Sequence, residues 1–262
     1  MGINQEHLYE GVNLFFDHIY VLTLPRATER HQKLENDLKG LNYTLFFGID
    51  KKNMNLDDLK QQGIYDEILT IKYQRYSRGM RIGEVVTSMG HKAIYEDMLK
   101  KGYKKILILE DDVVGNKEGL LTFNDAAKEL PQNWDILYLD YNKNTNNTVG
   151  AFIKRQIYHL QKILGQLKWS HATINNLHAK KYSKHLKKSG YHDYASAYGI
   201  TENAAKELIK LNTPICFPAD HTLPFLITNR VLNGYVTIIK AFIQQSQLNK
   251  EVIGSYVEED IV

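Results

Sequence analysis

Three consecutive carboxylates, Glu110, Asp111 and Asp112, close the strand-like run from Lys105 to Leu109. A buried strand gains no stability from such an ending, because packed like charges repel and raise one another's pKa until a cation intervenes. Carboxylate oxygens suit Mn²⁺ or Mg²⁺. In open α/β sheets, ligands bind beyond the carboxyl ends of the strands. In an extended chain Glu110 and Asp112 point to one side and Asp111 to the other. The pattern therefore offers a divalent cation held at a sheet edge, bridging phosphate oxygens of a ligand. A solvated loop of acids is the plainer alternative.

Other side chains could serve the same edge. Arg26 and Arg30 lie one helical turn apart after the first strand, a position that suits contacts to an anionic ligand at a helix N-terminus. Glu84 and His91 are seven residues apart on one predicted helix and so share a face. Arg78 and Arg81 precede that helix and are further candidates for a phosphate clamp. His171, His178, His185 and His192 recur every seven residues. On a continuous helix that spacing is about 10 Å, too far for one zinc ion, so the series is not read as a metal site.

Alternating elements must carry these residues. Strands are expected at His18–Leu24, Tyr43–Ile49, Lys105–Leu109, Trp134–Leu139, Tyr194–Gly199 and Val236–Ile243. Helices are expected at Ala27–Lys39, Leu56–Gln62, Glu84–Lys101, Lys117–Leu130 and Thr201–Leu211, with Gly40 and Gly102 as stops and Thr201 as an N-cap. The segment Asn53–Gly79 is otherwise polar and irregular. Strand–helix alternation gives an α/β class with a mostly parallel, Rossmann-like sheet flanked by helices. The 262 residues, 43% hydrophobic, fit a single domain with a real core.

The formal charge of +3 hides an asymmetry. Residues 141–192 carry ten lysines and arginines and no acid, so the remainder is about −7 by subtraction (+3 less 10). This block reads as a basic helical insertion, a lid or a subdomain, that suits an anionic partner such as a membrane surface or a phosphorylated glycolipid, or is simply a solvated face. No nucleic-acid-binding motif accompanies it, and no nucleic-acid partner is expected. One cysteine, Cys216, excludes an intramolecular disulfide and fits a reducing, cytoplasmic setting. The start at Asn4, Gln5 and Glu6 does not read as a signal peptide, and no apolar run reaches the length of a bilayer span. The sequons at Asn42 and Asn146 are taken as accidental.

Six segments in order resemble glycosyltransferase family 25, the lipooligosaccharide and procollagen galactosyltransferase family, over about Asp17 to Ser255. They are the opening strand with Thr23, Leu24, Arg26, Glu29 and Arg30; Gly83-Glu84 followed by Met89-Gly90-His91; Ile106–Val113 with its three acids; Trp134–Leu139; Tyr194–Ile200; and Pro218-Ala219-Asp220-His221. The resemblance implies a GT-A-type fold and a UDP-sugar donor, most simply UDP-galactose. It also implies Mn²⁺ or Mg²⁺, inversion at the anomeric carbon, and a glycan or glycolipid acceptor as in lipopolysaccharide biosynthesis. Transfer to a hydroxylated protein side chain is an alternative. So is a non-catalytic relative that binds sugar or membrane. Thr23 replaces the family's Asn, Val86 and Thr87 its Gly-Cys, and Gly90 its Ser, which bears on donor contacts.

Under this resemblance, Thr23, Arg26, Arg30, Glu84, His91, Glu110 and Asp111 are the donor-side candidates. Glu110, Asp112, Asp220 and His221 are the metal-side candidates. Inversion needs a base for the acceptor hydroxyl. Asp220 and Asp140 both qualify, and the sequence does not choose between them.

Overall fold

A computed structural model describes residues 7–73, 75 and 78–248. Asn4–Glu6 and the end of the family-like stretch beyond residue 248 lie outside these. The chain runs α1 (Glu10–Phe15), β1 (His18–Thr23), α2 (Thr28–Asp37), β2 (Thr44–Phe47), α3 (Leu56–Gln61), α4 (Glu67–Tyr73), α5 (Ile82–Lys101), β3 (Lys105–Glu110), β4 (Val113–Gly115) and α6 (Lys117–Lys128). It continues β5 (Ile136–Tyr138), α7 (Val149–Ile163), α8 (His171–Asn175), β6 (Lys180–Lys181), β7 (Leu186–Lys188), β8 (Ala197–Thr201), α9 (Glu202–Leu211), α10 (Ala219–Thr228), β9 (Gly234–Thr237), β10 (Phe242–Gln244) and α11 (Gln245–Leu248).

Eight strands form one sheet in the order β2-β1-β3-β8-β5-β9-β7-β6. The pairings set β8 and β7 against the common direction of the other strands, so the sheet is mostly parallel. Alternation along each central strand feeds two cores. Ile19, Val21, Leu107, Leu109, Leu137 and Leu139 meet Val12, Leu34, Leu38 and Phe123 from α1, α2 and α6 on one face. Tyr20, Ile106, Ile108, Ile136 and Tyr138 meet Ile94, Met98, Leu208 and Leu223 from α5, α9 and α10 on the other. Each fully buried aliphatic side chain contributes roughly 1.5–3 kcal/mol, and this two-sided burial explains the nearly unbroken apolar runs of the central strands.

Four sequence expectations change. The strand expected at Tyr194–Gly199 begins three residues later, because Tyr194 has φ 78° and cannot lie in a strand. The strand expected at Val236–Ile243 is two strands, β9 and β10. Between them Asn116 captures the chain, donating from Nδ2 to Lys240 O at 2.7 Å and from its backbone N to Ala241 O at 2.8 Å. Pro218–His221, where no helix is expected, opens helix α10 with Pro218 as its N-cap; Pro224 within the helix masks the helical signal. The basic segment does contain helices, α7 and α8, but β7 pairs with β9 in the main sheet, so its second half belongs to the core fold.

Candidate active site

The ends of β1 and β3 lie side by side, with Leu22 in register with Glu110. Beyond them opens a cleft lined by Thr23, Arg26, Arg30, Gly48, Lys51, Gly83, Val86, Thr87, Gly90, Glu110, Asp111, Asp112 and Gln244. It measures about 130 Å³, below the usual range for a site that encloses a drug-sized ligand whole.

The three acids have three different environments. Asp111 is buried and paired with Arg30, whose side chain is itself only 10% exposed. Thr23 Oγ1 donates to Asp111 Oδ2 at 2.6 Å and lies 3.0 Å from His31 Nε2. Asp111 is therefore a satisfied anion that fixes α2 to the strand ends.

Asp112 turns toward the β4–β10 ladder, where Gln244 Nε2 donates to its Oδ2 at 2.9 Å. Its Oδ1 is buried with no hydrogen-bond partner among the described residues. Burial first, then the charges of Glu110 and Asp111, push the Asp112 carboxyl up to about 7. A bound cation would reverse that cost.

Glu110 is 28% exposed, and its Oε1 lies 3.5 Å from Nε2 of the buried His91. His91 Nδ1 meets Tyr198 OH at 2.7 Å, and Tyr198 OH meets Tyr95 OH at 2.6 Å. This buried chain orients the imidazole and aims its second nitrogen at Glu110, as outer partners commonly do behind metal-binding carboxylates. Tyr198 falls in the family-like segment Tyr194–Ile200, whereas Tyr95 has no mark in the sequence beyond its place on an apolar helix face.

Oxygen donors and an orphaned buried carboxylate oxygen fit a hard divalent cation. Among the described residues, however, no three His, Cys, Asp or Glu side chains are gathered closely enough to hold a metal ion. The set Glu110, Asp112, Asp220 and His221 is thus not assembled into a protein-only cage. The residues present suit an ion that takes its remaining ligands from phosphate and water, as Mg²⁺ commonly does.

The other candidates separate. Arg26 pairs with Asp50 at the rim, and the nearby Lys51 adds a cation to the lining. Glu84 does not line the cleft. It binds Arg78 through both oxygens, at 2.7 and 2.9 Å, and accepts from Arg81 N at 2.8 Å, capping α5. Burial raises its pKa, but Arg78 and Arg81 outweigh that and hold the carboxyl below its ordinary range. Arg78 is therefore engaged in an ion pair.

Asp140 is fully buried. It accepts from Ser196 Oγ at 2.9 Å, Gln244 N at 3.1 Å and Gln247 Nε2 at 2.9 Å, and it is 3.0 Å from Lys240 Nζ. It anchors the β10 arm that carries Gln244. Asp220 has a side chain 39% exposed at the start of α10, with His221 Nε2 4.0 Å from Oδ2. Partial burial raises its pKa; His221 opposes this, while Asp193, Glu110 and Glu84 add to it. Asp220 itself lines neither the first cleft nor a second cavity of about 310 Å³, whose walls include its neighbour His221 with Arg75, Lys143, Trp169, Tyr191 and Asp193.

Of the seven-residue histidine series, His171 opens α8, His178 and His192 are buried in loops, and His185 binds Glu129. They share no helix.

The profile described as "Glycosyltransferase family 25 (LPS biosynthesis protein)" matches residues 16–223. A "Glycosyltransferase 25 family member" of Drosophila pseudoobscura pseudoobscura is 33% identical over 111 residues, 40% of this chain and 17% of the relative. One from Anopheles gambiae is 26% identical over 230 residues, 82% of this chain and 32% of the relative. Human "Procollagen galactosyltransferase 2" is 25% identical over 130 residues, 47% of this chain and 20% of the relative. Cattle and human relatives named as probably inactive or inactive also match. The chain spans no more than about a third of the length of these relatives.

Proposed function

Because the chain belongs to glycosyltransferase family 25, we propose that it transfers galactose from UDP-galactose, with inversion, to a hydroxyl of a glycan or glycolipid acceptor. The observation that carries this reading is the Asp112 carboxylate, half-buried, short of a partner for Oδ1 and held at a sheet edge beside Glu110.

A Mn²⁺ or Mg²⁺ ion held by Glu110 and Asp112 would offset the charge that gathers on the departing diphosphate. The protein's own residues do the rest. Arg26 and Lys51 bring positive charge to the cleft lining, where a diphosphate would lie. Arg30 and Thr23 neutralise and hold Asp111, so the third acid of the run adds little repulsion to the ligand. His91, set by Tyr198 and Tyr95, holds its Nε2 3.5 Å from Glu110 Oε1, within reach of that carboxylate.

Asp220 is the general base in this reading. It is accessible where Asp140 is not, and its raised pKa makes it a stronger proton acceptor than a solvated carboxylate. It takes the proton of the acceptor hydroxyl as that oxygen attacks the anomeric carbon. The second cavity, with Trp169 and Tyr191 among its walls, is the acceptor side. Aromatic faces there suit sugar rings, and Arg75 and Lys143 suit an anionic group on them.

A second reading is a family member that binds a nucleotide sugar without turnover. It is favoured by the inactive relatives and by Val86 and Thr87 in the cleft lining. Release of UDP from UDP-galactose, UDP-glucose and UDP-N-acetylhexosamines, with and without Mn²⁺, tests both. Metal-dependent release with one donor supports transfer. Metal-dependent UDP binding with no release supports the second reading.

A further inference from the structure

Helix α7 is turned inside out. Its buried residues are Ala151 and Tyr158 alone. Val149, Phe152, Ile153, Ile157, Leu160, Ile163 and the following Leu164 are each between 51% and 78% exposed. Their spacing, i, i+3, i+4, i+8, i+11, i+14 and i+15, places them on one helical stripe roughly 22 Å long. Soluble surfaces scatter single apolar residues. A continuous stripe of this kind marks a face that meets something else.

Charge identifies what it meets. Lys154, Arg155 and Lys162 lie on the same helix, and Lys168 follows it. The β6–β7 hairpin sets Lys180 opposite Lys188 and Lys181 opposite Lys187, a like-charge arrangement unfavourable to the hairpin itself. That hairpin abuts the start of α7, where Lys187 Nζ donates to Thr145 O at 3.0 Å and Asn146 Oδ1 at 2.8 Å. Residues 141–192 contain no acid. A second copy docked on this face through a two-fold contact would bring cation against cation. An apolar stripe bordered by lysine and arginine matches the negative surface of an anionic bilayer.

We propose that α7 is a membrane-docking helix, lying in the plane of an anionic lipid surface with Phe152, Ile153, Ile157 and Leu160 in the acyl boundary and the lysines of the β6–β7 hairpin at the headgroups. Among the described residues no helix is long and apolar enough to cross a membrane. A helix lying in the plane of the interface makes a peripheral, reversible contact. The proposal goes beyond the transfer chemistry and does not depend on it, since the stripe lies opposite the buried side of α7 that carries Tyr158 to the second cavity.

The test is flotation of the full chain with vesicles of phosphatidylglycerol in phosphatidylcholine, and with phosphatidylcholine alone. The wild-type chain should float with the anionic vesicles, less so as salt rises, and not with the neutral ones. Phe152→Gln, Ile157→Gln and Leu160→Gln together should weaken binding about tenfold or more, with circular dichroism and UDP binding unchanged. Absence of wild-type binding would overturn the proposal. So would binding that the three substitutions leave unaltered, or a dimer in solution that they dissociate.

Discussion

Thr23 Oγ1 hydrogen-bonds Asp111 Oδ2 at 2.6 Å, joining the end of β1 to the middle acid of the run that follows β3. With Arg30 on its other oxygen, Asp111 is a buried, paired charge, and the partnering of the three acids is decided there. In the proposed reading Asp111 holds the strand ends together, while Glu110 and Asp112 are left to serve a ligand. Removing one partner of a buried pair leaves an uncompensated charge and costs about 3–5 kcal/mol, whereas removing both can be nearly neutral. Arg30→Met should therefore destabilise strongly in urea unfolding, and adding Asp111→Leu should recover most of the loss. Additive losses would show that the pair is not a unit.

Asp112 should display the opposite behaviour in metal-free protein. Its carboxyl titrates near 7 in the fold, against about 4 for an unfolded chain. The folded state holds the proton more tightly, so the stability this group contributes is complete below about pH 4 and lost as pH rises through 7. Asp112→Asn should raise the metal-free Tm at pH 8 by a few degrees, of the order that 1 kcal/mol gives, while ending metal-dependent turnover. A lowered Tm would mean that the carboxylate stabilises the fold.

The two candidate bases are distinguished by where they fail. Asp220→Asn should cut transfer by about 10²–10⁴-fold with the fold and UDP binding retained. Asp140→Asn should lower stability by roughly 1–3 kcal/mol, because it breaks the pair with Lys240 and the hold on Gln244. Its effect on transfer per folded molecule should be smaller than that of Asp220→Asn. Rates and unfolding curves on both variants separate these outcomes.

His192 sets an acid limit. It is fully buried, lies 3.0 Å from Lys143 O through Nδ1, and accepts from Gly190 N at Nε2. A second ring proton would face the Gly190 N–H. Burial lowers its pKa to about 4, against the ordinary 6.5. Its contribution is therefore complete above about pH 6.5 and lost as pH falls through 4, on the order of 3 kcal/mol in all. His192→Gln should flatten the pH dependence of unfolding in that window, even if the variant is less stable at pH 7.

The central strands and α5 were legible because burial on two faces and a C-terminal glycine leave plain marks in sequence. The acid run marked the sheet edge for the same reason, since three charges after a buried strand have few explanations. What escaped depends on partners far along the chain. Gln244 is an ordinary glutamine until β10 brings it to Asp112. Asp140 reads as a strand-end acid until Ser196, Lys240 and Gln247 enclose it. Glu84 shares a helix with His91, but Arg78 draws it away from the cleft. The exposed apolar stripe of α7 has the periodicity of a core-facing helix, and only coordinates show which way it points.

Calorimetric titration of UDP into wild type and Asp112→Asn, each with Mn²⁺ and with chelator, tests the account most directly. Wild type should bind UDP at least about tenfold more tightly with Mn²⁺, and Asp112→Asn should show no Mn²⁺ effect while keeping its fold. Equal UDP affinity with and without the ion in wild type, or an undiminished ion effect in Asp112→Asn, would contradict it.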